Sequence, residues 1–305
     1  MTCSALWAQT EFTTADPVEY SNYIVTEQEK IGAEFIDFSN LLLSSNDYKT
    51  NEAKRLEVVK LVELGLRRLR NMAPFKDGGQ LRNESIAVFE AYRDLHLNEY
   101  AKITLLVSNK ESSLTALEDY FQMQIKAEKK MMEYAVRLKN AQKKFAESYK
   151  LTLLHNPMQD QFDRILECNV YSREVFLAYI AVAKLNEAWW EAMDKNDFEA
   201  MEKNRLAIMD AASKTALASM QGFHGDGSFR DVAKERVDYF ARLAGDQYKE
   251  FSKILQNPQR TKEDIDYING EIDAYNDKNM KLNDKFNTVH RDLKLRALPA
   301  PSGGK

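Results

Sequence analysis

Residues 265–293 read IDYINGEIDAYNDKNMKLNDKFNTVHRDL, and apolar side chains recur in them at alternating intervals of three and four residues. This spacing is typical of an amphipathic helix that packs against other helices in a left-handed arrangement. The stripe consists of Ile265, Ile268, Ile272, Tyr275, Asn279, Leu282, Phe286, Val289 and Leu293, with Asn279 as its polar member. Such a long helix with one apolar stripe predicts an all-α fold in which several helices share a core.

A repeat relates the two halves of the chain. FKDGGQLR at residues 75–82 aligns with FHGDGSFR at residues 223–230, 148 positions later, and the apolar pattern continues to match on both sides. Further along, Leu138 aligns with Leu282 after a loss of four residues from the second copy. The matched positions are mostly apolar, so the repeat preserves a core. We therefore expect two tandem four-helix bundles of long antiparallel helices.

Helix signals set the expected boundaries. The four helices of each copy are expected at about 17–43, 50–72, 80–107 and 117–149, and at about 157–193, 198–220, 228–255 and 265–293. Asn156-Pro157 marks the junction, because proline is favoured in the first turn of a helix. The prediction is thus an N-terminal segment at 1–16, bundles at 17–155 and 156–296, and a flexible Pro- and Gly-containing tail at 297–305.

The composition of the 305 residues excludes several classes of protein. A hydrophobic fraction of 44% with 10% aromatic residues is too apolar for a disordered chain. Eleven Gly and six Pro are too few for a turn-rich β-sandwich, and two Cys exclude a disulfide framework. No run of apolar residues is long enough to predict a transmembrane segment. The net charge of −4 does not require a polyanionic partner, so no nucleic acid is expected.

The first nine residues, MTCSALWAQ, resemble the end of a secretory signal peptide, with cleavage possible after Ala8. A complete signal also needs a basic region and a longer apolar run, and this start has neither. The resemblance predicts an extracytoplasmic protein, in the periplasm or on the surface of a Gram-negative bacterium. If the start is genuine, the prediction is a cytoplasmic protein.

The paired loops are the most distinctive motif, with Asp77 and Arg82 in the first copy and Asp226 and Arg230 in the second. They could grip a ligand, since helix N-termini favour anions and arginine adds a bidentate donor. The alternative is structural: glycine closes one helix and the next residues begin another. The structural interpretation is favoured, and the recurrence of the arginine keeps the other open.

Cofactor and catalytic patterns are not found. The residues three before His96, His155, His224 and His290 are Arg, Thr, Gln and Asn, so the Glu-x-x-His pattern of di-iron bundles does not occur. No haem-attachment motif, nucleophile elbow, phosphate-binding loop or zinc-protease motif occurs either. We therefore expect no metal site, no cofactor and no enzymatic activity.

Two further features suggest partners. Residues 126–150 hold eight Lys or Arg against three Glu, while residues 264–277 on the corresponding helix of the second copy hold five Asp or Glu and no Lys or Arg. A solvated helix face is the simplest interpretation, and contact between the copies or with another protein explains the asymmetry better than DNA does. The adjacent Trp189 and Trp190 point about 100° apart on a helix, so one could be an exposed partner anchor, although two core aromatics are the default.

Residues 20–30 (YSNYIVTEQEK), 75–82 (FKDGGQLR) and 98–100 (NEY) together resemble a family of helical surface proteins. Its members occur in spirochaetes and in bacteria of the Bacteroides group, and typically carry a secretion or lipoprotein signal. The resemblance covers about 130 residues. It implies placement at the cell envelope and no known enzymatic activity, and it provides no functional residues to carry over. This chain departs from the family in being duplicated.

These observations favour a non-enzymatic extracytoplasmic scaffold or protein-binding module that acts through its helix faces, on another protein or by self-association. The alternative is a small-ligand-binding protein or enzyme that uses the paired Gly/Arg loops.

Overall fold

The computed structural model describes residues 12–76, 78–110 and 112–297, apart from the side chain of Leu43. The whole signal-like start (residues 1–9), Asp77 and the expected tail beyond Ala297 lie outside the described residues. Within them every regular element is helical and no strand occurs, which confirms the all-α prediction. The α-helices are α1 (Pro17–Ser44), α2 (Tyr48–Arg70), α3 (Gln80–Leu95), α4 (Ala101–Leu106), α5 (Leu114–Ser148), α6 (Pro157–Asp194), α7 (Phe198–Ser213), α8 (Ser228–Gly245), α9 (Gln247–Gln256) and α10 (Lys262–Ala297). A π-helical turn, His96–Tyr100, joins α3 to α4, and a 3₁₀ turn, Ala216–Ala218, follows α7.

Short polar side chains determine where several helices begin. Asp16, Asp47, Ser113 and Asp197 each accept a hydrogen bond from a backbone amide two or three residues further on. Each bond satisfies an amide that has no partner inside its helix. Pro17 occupies the first turn of α1, where its missing N–H is not needed.

The described chain divides into two compact units, and the division falls inside α6 between Leu166 and Glu167. In the first unit α2 packs against α1 and α3, and α3 packs against α5. The core includes Phe35, Val62, Leu66, Val88, Phe89, Tyr100 and Leu138. The first turns of α6 lie beyond the predicted junction at 155/156, and they contribute Phe162 to this core.

In the second unit α8 packs against α7 and α10, and α9 packs against α7 and α8. The buried apolar side chains include Met201, Ile208, Phe229, Val237, Phe240, Phe251, Leu282 and Phe286. The arrangement of both units as tandem four-helix bundles stays a prediction.

Three predicted helices differ from the observed ones. The helix expected at 80–107 contains the π-helical turn, which buries both His96 and Tyr100. The helix expected at 228–255 breaks at Asp246, where Gly245 and Asp246 are both weak helix formers. The helix expected at 198–220 ends at Ser213, because Thr215 is extended (ψ 134°) and its hydroxyl accepts from the Leu217 amide.

The end of the expected N-terminal segment packs on the first unit. The ring of Phe12 stacks on Tyr23 at 4.1 Å between ring centroids, and the Phe12 carbonyl accepts a 3.0 Å hydrogen bond from the Ala73 amide. Phe12 therefore packs against the first unit before α1 begins.

Candidate partner-binding groove

The first Gly/Arg loop joins α2 to α3, and its arginine is used by the fold. Arg82 donates from Nε to the Leu69 carbonyl and from a terminal nitrogen to the Arg70 carbonyl, both at 2.9 Å. These carbonyls lie at the C-terminal end of α2, where they lack partners inside the helix. Gly79 has φ +78°, and a Cβ there would lie 3.0 Å from that of Pro74. Asp77 lies outside the described residues.

The second loop, before α8, is held in the same manner. Arg230 donates to the Met220 carbonyl at 2.8 Å and pairs with Asp231. Asp226 accepts from the Ser228 amide at 2.8 Å and contacts Arg296. These interactions, the amide hydrogen bond first among them, hold the pKa of Asp226 below its usual value. In both loops the arginine donates to a backbone carbonyl oxygen of the chain before the loop, a role that the structural interpretation of the sequence does not include.

The two tryptophans have different environments. Trp189 is buried and stacks on Tyr248 at 3.6 Å between ring centroids. Trp190 is half-buried and lies 4.9 Å from the ring of Tyr275, so it is not a freely exposed anchor. Trp190 lines a small cavity of the second unit.

A groove runs along the first unit between the start of α3 and the second half of α5. Its volume is about 730 Å³ and it is open to solvent. Leu81 and Phe145 form its floor, and Val136 lies on its wall with 57% of its surface exposed. We call this feature the α5 groove. Its polar lining residues are Gln80, Asn83, Glu84, Glu133, Arg137, Asn140, Lys144 and Ser148.

The charge of the groove lining is balanced, and its flank is basic. Arg137 forms an ion pair with Glu84, which raises the pKa of the guanidinium. Along the same helix Lys139, Lys143 and Lys144 are exposed. The α5 surface therefore offers exposed cations beside an exposed apolar side chain.

Sequence reasoning identified the basic run on α5 but not the groove. The sequence feature that could have indicated the groove is Val136, an apolar residue directly after the inward-facing Ala135 and followed by charged residues. The depth of the groove depends on the packing of α3 against α5, which the helical period alone does not fix.

Metal and membrane features are not found in the part of the chain that the structure describes. No group of three His, Cys, Asp or Glu residues there could hold a metal ion. No described helix is both long enough and apolar enough to span a bilayer.

No family model, curated protein or solved structure matches this chain. The resemblance to the helical surface-protein family stays a prediction, and function has to be argued from the geometry.

Proposed function

We propose that the protein is a non-catalytic helical binding module that holds an acidic segment of another protein in the α5 groove. The observation that carries the proposal is the groove itself, an open channel of about 730 Å³ with the exposed Val136 on its wall and exposed lysines of α5 in and beside its lining, which form its basic flank. A helix or extended peptide that places an apolar side chain against Val136 would bring its acidic residues to Lys139, Lys143 and Lys144.

The physical argument combines burial with charge. An exposed apolar side chain at a groove gains from being covered, and nearby cations steer and orient an oppositely charged partner. The lysines supply little stability to the fold, since exposed ion pairs are worth about 0–1 kcal/mol. The ion pair between Lys143 and Glu147, 3.9 Å apart, is of this kind and is easily exchanged for a partner carboxylate.

A site-specific photo-crosslinker tests the proposal in the cells of origin. Benzoylphenylalanine in place of Val136 should capture a distinct protein, which the same group in place of Met280 should not. The control is matched, because Val136 and Met280 are 57% and 58% exposed. Capture of a second copy of this chain, or the same products from both positions, contradicts the proposal.

Charge reversal tests the basic flank. The triple variant K139E/K143E/K144E should lose the Val136 crosslink. The triple variant K249E/K253E/K262E changes the net charge equally on exposed sites of the second unit and should retain it. If both triple variants lose the crosslink to the same extent, the effect belongs to net charge and not to the groove.

The proposal also places the protein outside the cytoplasm, supported by the signal-like residues 1–9. Fractionation and the intact mass of the mature protein test this placement. A cytosolic chain that retains Met1 contradicts it.

Ligand binding or catalysis at the paired Gly/Arg loops stays an alternative prediction. No specific observation favours it, because Arg82 donates to the Leu69 carbonyl and Arg230 donates to the Met220 carbonyl.

A further inference from the structure

A small cavity in the second unit is walled by aromatic rings from four helices. It lies between α6, α8, α9 and α10, and its volume is about 80 Å³. Its rings belong to Trp190, Tyr239, Tyr248, Phe251 and Tyr275. A single water needs about 10–15 Å³ on this measure, so the cavity has room for a group of several heavy atoms.

The rings are held in place before any ligand arrives. The ring of Tyr248 stacks on that of Trp189, and the two ring planes are only 6° apart. The Tyr248 hydroxyl donates to the Asn186 side-chain carbonyl at 2.6 Å. The Asn186 amide nitrogen in turn donates to the Tyr275 hydroxyl at 3.1 Å. This chain of hydrogen bonds fixes two walls of the cavity, so a ligand would not have to order them.

The polar groups at the cavity include the indole N–H of Trp190 and tyrosine hydroxyls, and two further side chains supply acceptors. Glu271 is the one charged residue among those that the structure places in the lining. The side-chain oxygen of Gln247, another lining residue, is buried and has no hydrogen-bond partner among the described residues. A buried acceptor without a donor is unfavourable, so this oxygen is suited to receive an N–H from a ligand.

Neighbouring cations do not line the cavity. The Arg242 guanidinium lies 5.6 Å from the Tyr239 ring centre, and Arg236 lies over the rings of Tyr179 and Phe286. Of these rings only Tyr239 lines the cavity, so one lining ring already attracts a cation, while no Lys or Arg side chain among the described residues lines the cavity itself.

We infer that this aromatic cavity binds the head group of a small organic cation, an alkylated ammonium that keeps at least one N–H. Ring faces attract a cation within about 6 Å of their centroids. Glu271 balances the charge, and the Gln247 oxygen accepts the remaining N–H. An anion would meet Glu271 with no cationic side chain in the lining, and a neutral apolar group would leave the Gln247 acceptor unpaired.

Titration of the full chain with trimethylammonium tests the inference. Binding is monitored by tryptophan fluorescence and by saturation-transfer NMR of the ligand. tert-Butyl alcohol is the neutral control of similar size, and tetramethylammonium is the control without an N–H. Trimethylammonium should bind saturably, about tenfold more tightly than tert-butyl alcohol. Tetramethylammonium should bind more weakly than trimethylammonium. Equal affinity for the neutral molecule, or no saturable binding of the cation, overturns the inference.

Variants locate the site. Glu271→Gln should weaken trimethylammonium binding several-fold and leave tert-butyl alcohol binding unchanged, while Glu263→Gln, an exposed position on the same helix, should have no effect. Thermal unfolding of both variants should match that of the parent chain. Unchanged cation affinity in Glu271→Gln overturns the assignment to this cavity. The K139E/K143E/K144E variant should bind the cation normally, which separates this site from the α5 groove.

Discussion

His96 is a buried histidine without hydrogen bonds to its ring. It is 0% exposed, its ring stacks on Tyr100 at 4.7 Å between ring centroids, and the ring of Phe35 lies nearly perpendicular to it at 5.7 Å between centroids. Neither ring nitrogen has a partner among the described residues. Burial, with the charge of Arg55 as a smaller cause, lowers its pKa to about 3. The side chain is therefore a neutral packing element at pH 7.

This burial predicts a loss of stability in mild acid. The unfolded chain binds a proton at His96 below about pH 6.5 and the folded chain does not, so the free energy of unfolding is intact above pH 6.5 and falls as the pH is lowered toward 3. Between pH 7.5 and pH 5 the loss from one such histidine is about 2 kcal/mol. Urea unfolding measures this loss. Between pH 7.5 and pH 5 the free energy of unfolding of His96→Phe should fall by about 2 kcal/mol less than that of the parent chain.

His290, whose pKa burial lowers to about 3, keeps part of the dependence in the His96 variant. If the free energy of unfolding of His96→Phe falls in acid as much as that of the parent chain, the assignment to His96 is contradicted.

An arginine on the second helix of each unit makes the same set of contacts. Arg55 binds Glu52 and donates to the His96 carbonyl at 2.8 Å. Arg205 binds Glu202 and donates to the Ala244 carbonyl at 3.1 Å. In each case the planar guanidinium serves a carboxylate and a helix carbonyl at once, which a lysine cannot do.

Replacing either arginine by lysine should therefore destabilise the fold by about 1–3 kcal/mol. Arg55→Lys should have the larger effect, since its carboxylate partner is 24% exposed and that of Arg205 is 51% exposed. Urea unfolding of the two variants measures the difference. If Arg205→Lys destabilises the fold more than Arg55→Lys does, the burial of the carboxylate partner does not determine the strength of these contacts.

At the scale of elements, periodicity and caps predicted helix starts well. Pro17, Gln80, Pro157, Phe198 and Ser228 begin helices as expected. The interruptions could not be predicted in this way. The π-helical turn at His96–Tyr100 depends on the packing of two large rings, and the apolar pattern is compatible with an unbroken helix there. The α5 groove and the aromatic cavity likewise depend on the spacing between helices, which a one-dimensional pattern does not contain.

Replacing either of two mid-helix glycines by alanine should change the stability of the protein in opposite directions. A Cβ at Gly270 in α10 would meet nothing within 4 Å, so Gly270→Ala should stabilise the protein by about 1 kcal/mol through higher helix propensity. A Cβ at Gly65 in α2 would lie 3.0 Å from the ring of the buried Phe89, so Gly65→Ala should destabilise it by about 1–3 kcal/mol. Thermal melts should move in opposite directions. Stabilisation by Gly65→Ala would contradict the close packing of α2 on α3.

At the scale of the whole molecule, contacts recur in the two units at sequence separations within four residues of the 148-residue repeat. Besides the paired arginines, Thr104 and Ser252 each donate a hydroxyl hydrogen bond to the carbonyl of a buried tyrosine four residues earlier. Leu138 and Leu282 are both buried. Phe75 is buried, whereas Phe223 is partly exposed, so the copies have diverged at the loops. The duplication therefore stays a prediction: the recurring contacts favour it, and the different environments of Phe75 and Phe223 count against it.

The start of α6 decides where an independently folding first unit must end. Phe162 and Leu166 are buried in its core, and Phe162 lies 5.6 Å from Phe35 between ring centroids. A fragment of residues 12–166 should therefore unfold cooperatively in urea. A fragment of residues 12–155 should be less stable by at least about 3 kcal/mol, since burying each such side chain is worth about 1.5–3 kcal/mol.

A length-matched control separates packing from chain length. The 12–166 fragment that carries Phe162→Ala and Leu166→Ala keeps the helical residues and should lose a similar amount of stability. Equal stability of the 12–155 and 12–166 fragments would place the unit boundary at Asn156-Pro157, as the proline signal suggests, because the early turns of α6 would then contribute nothing to the first core. The two outcomes distinguish a boundary set by local helix signals from one set by the burial of apolar surface across α6.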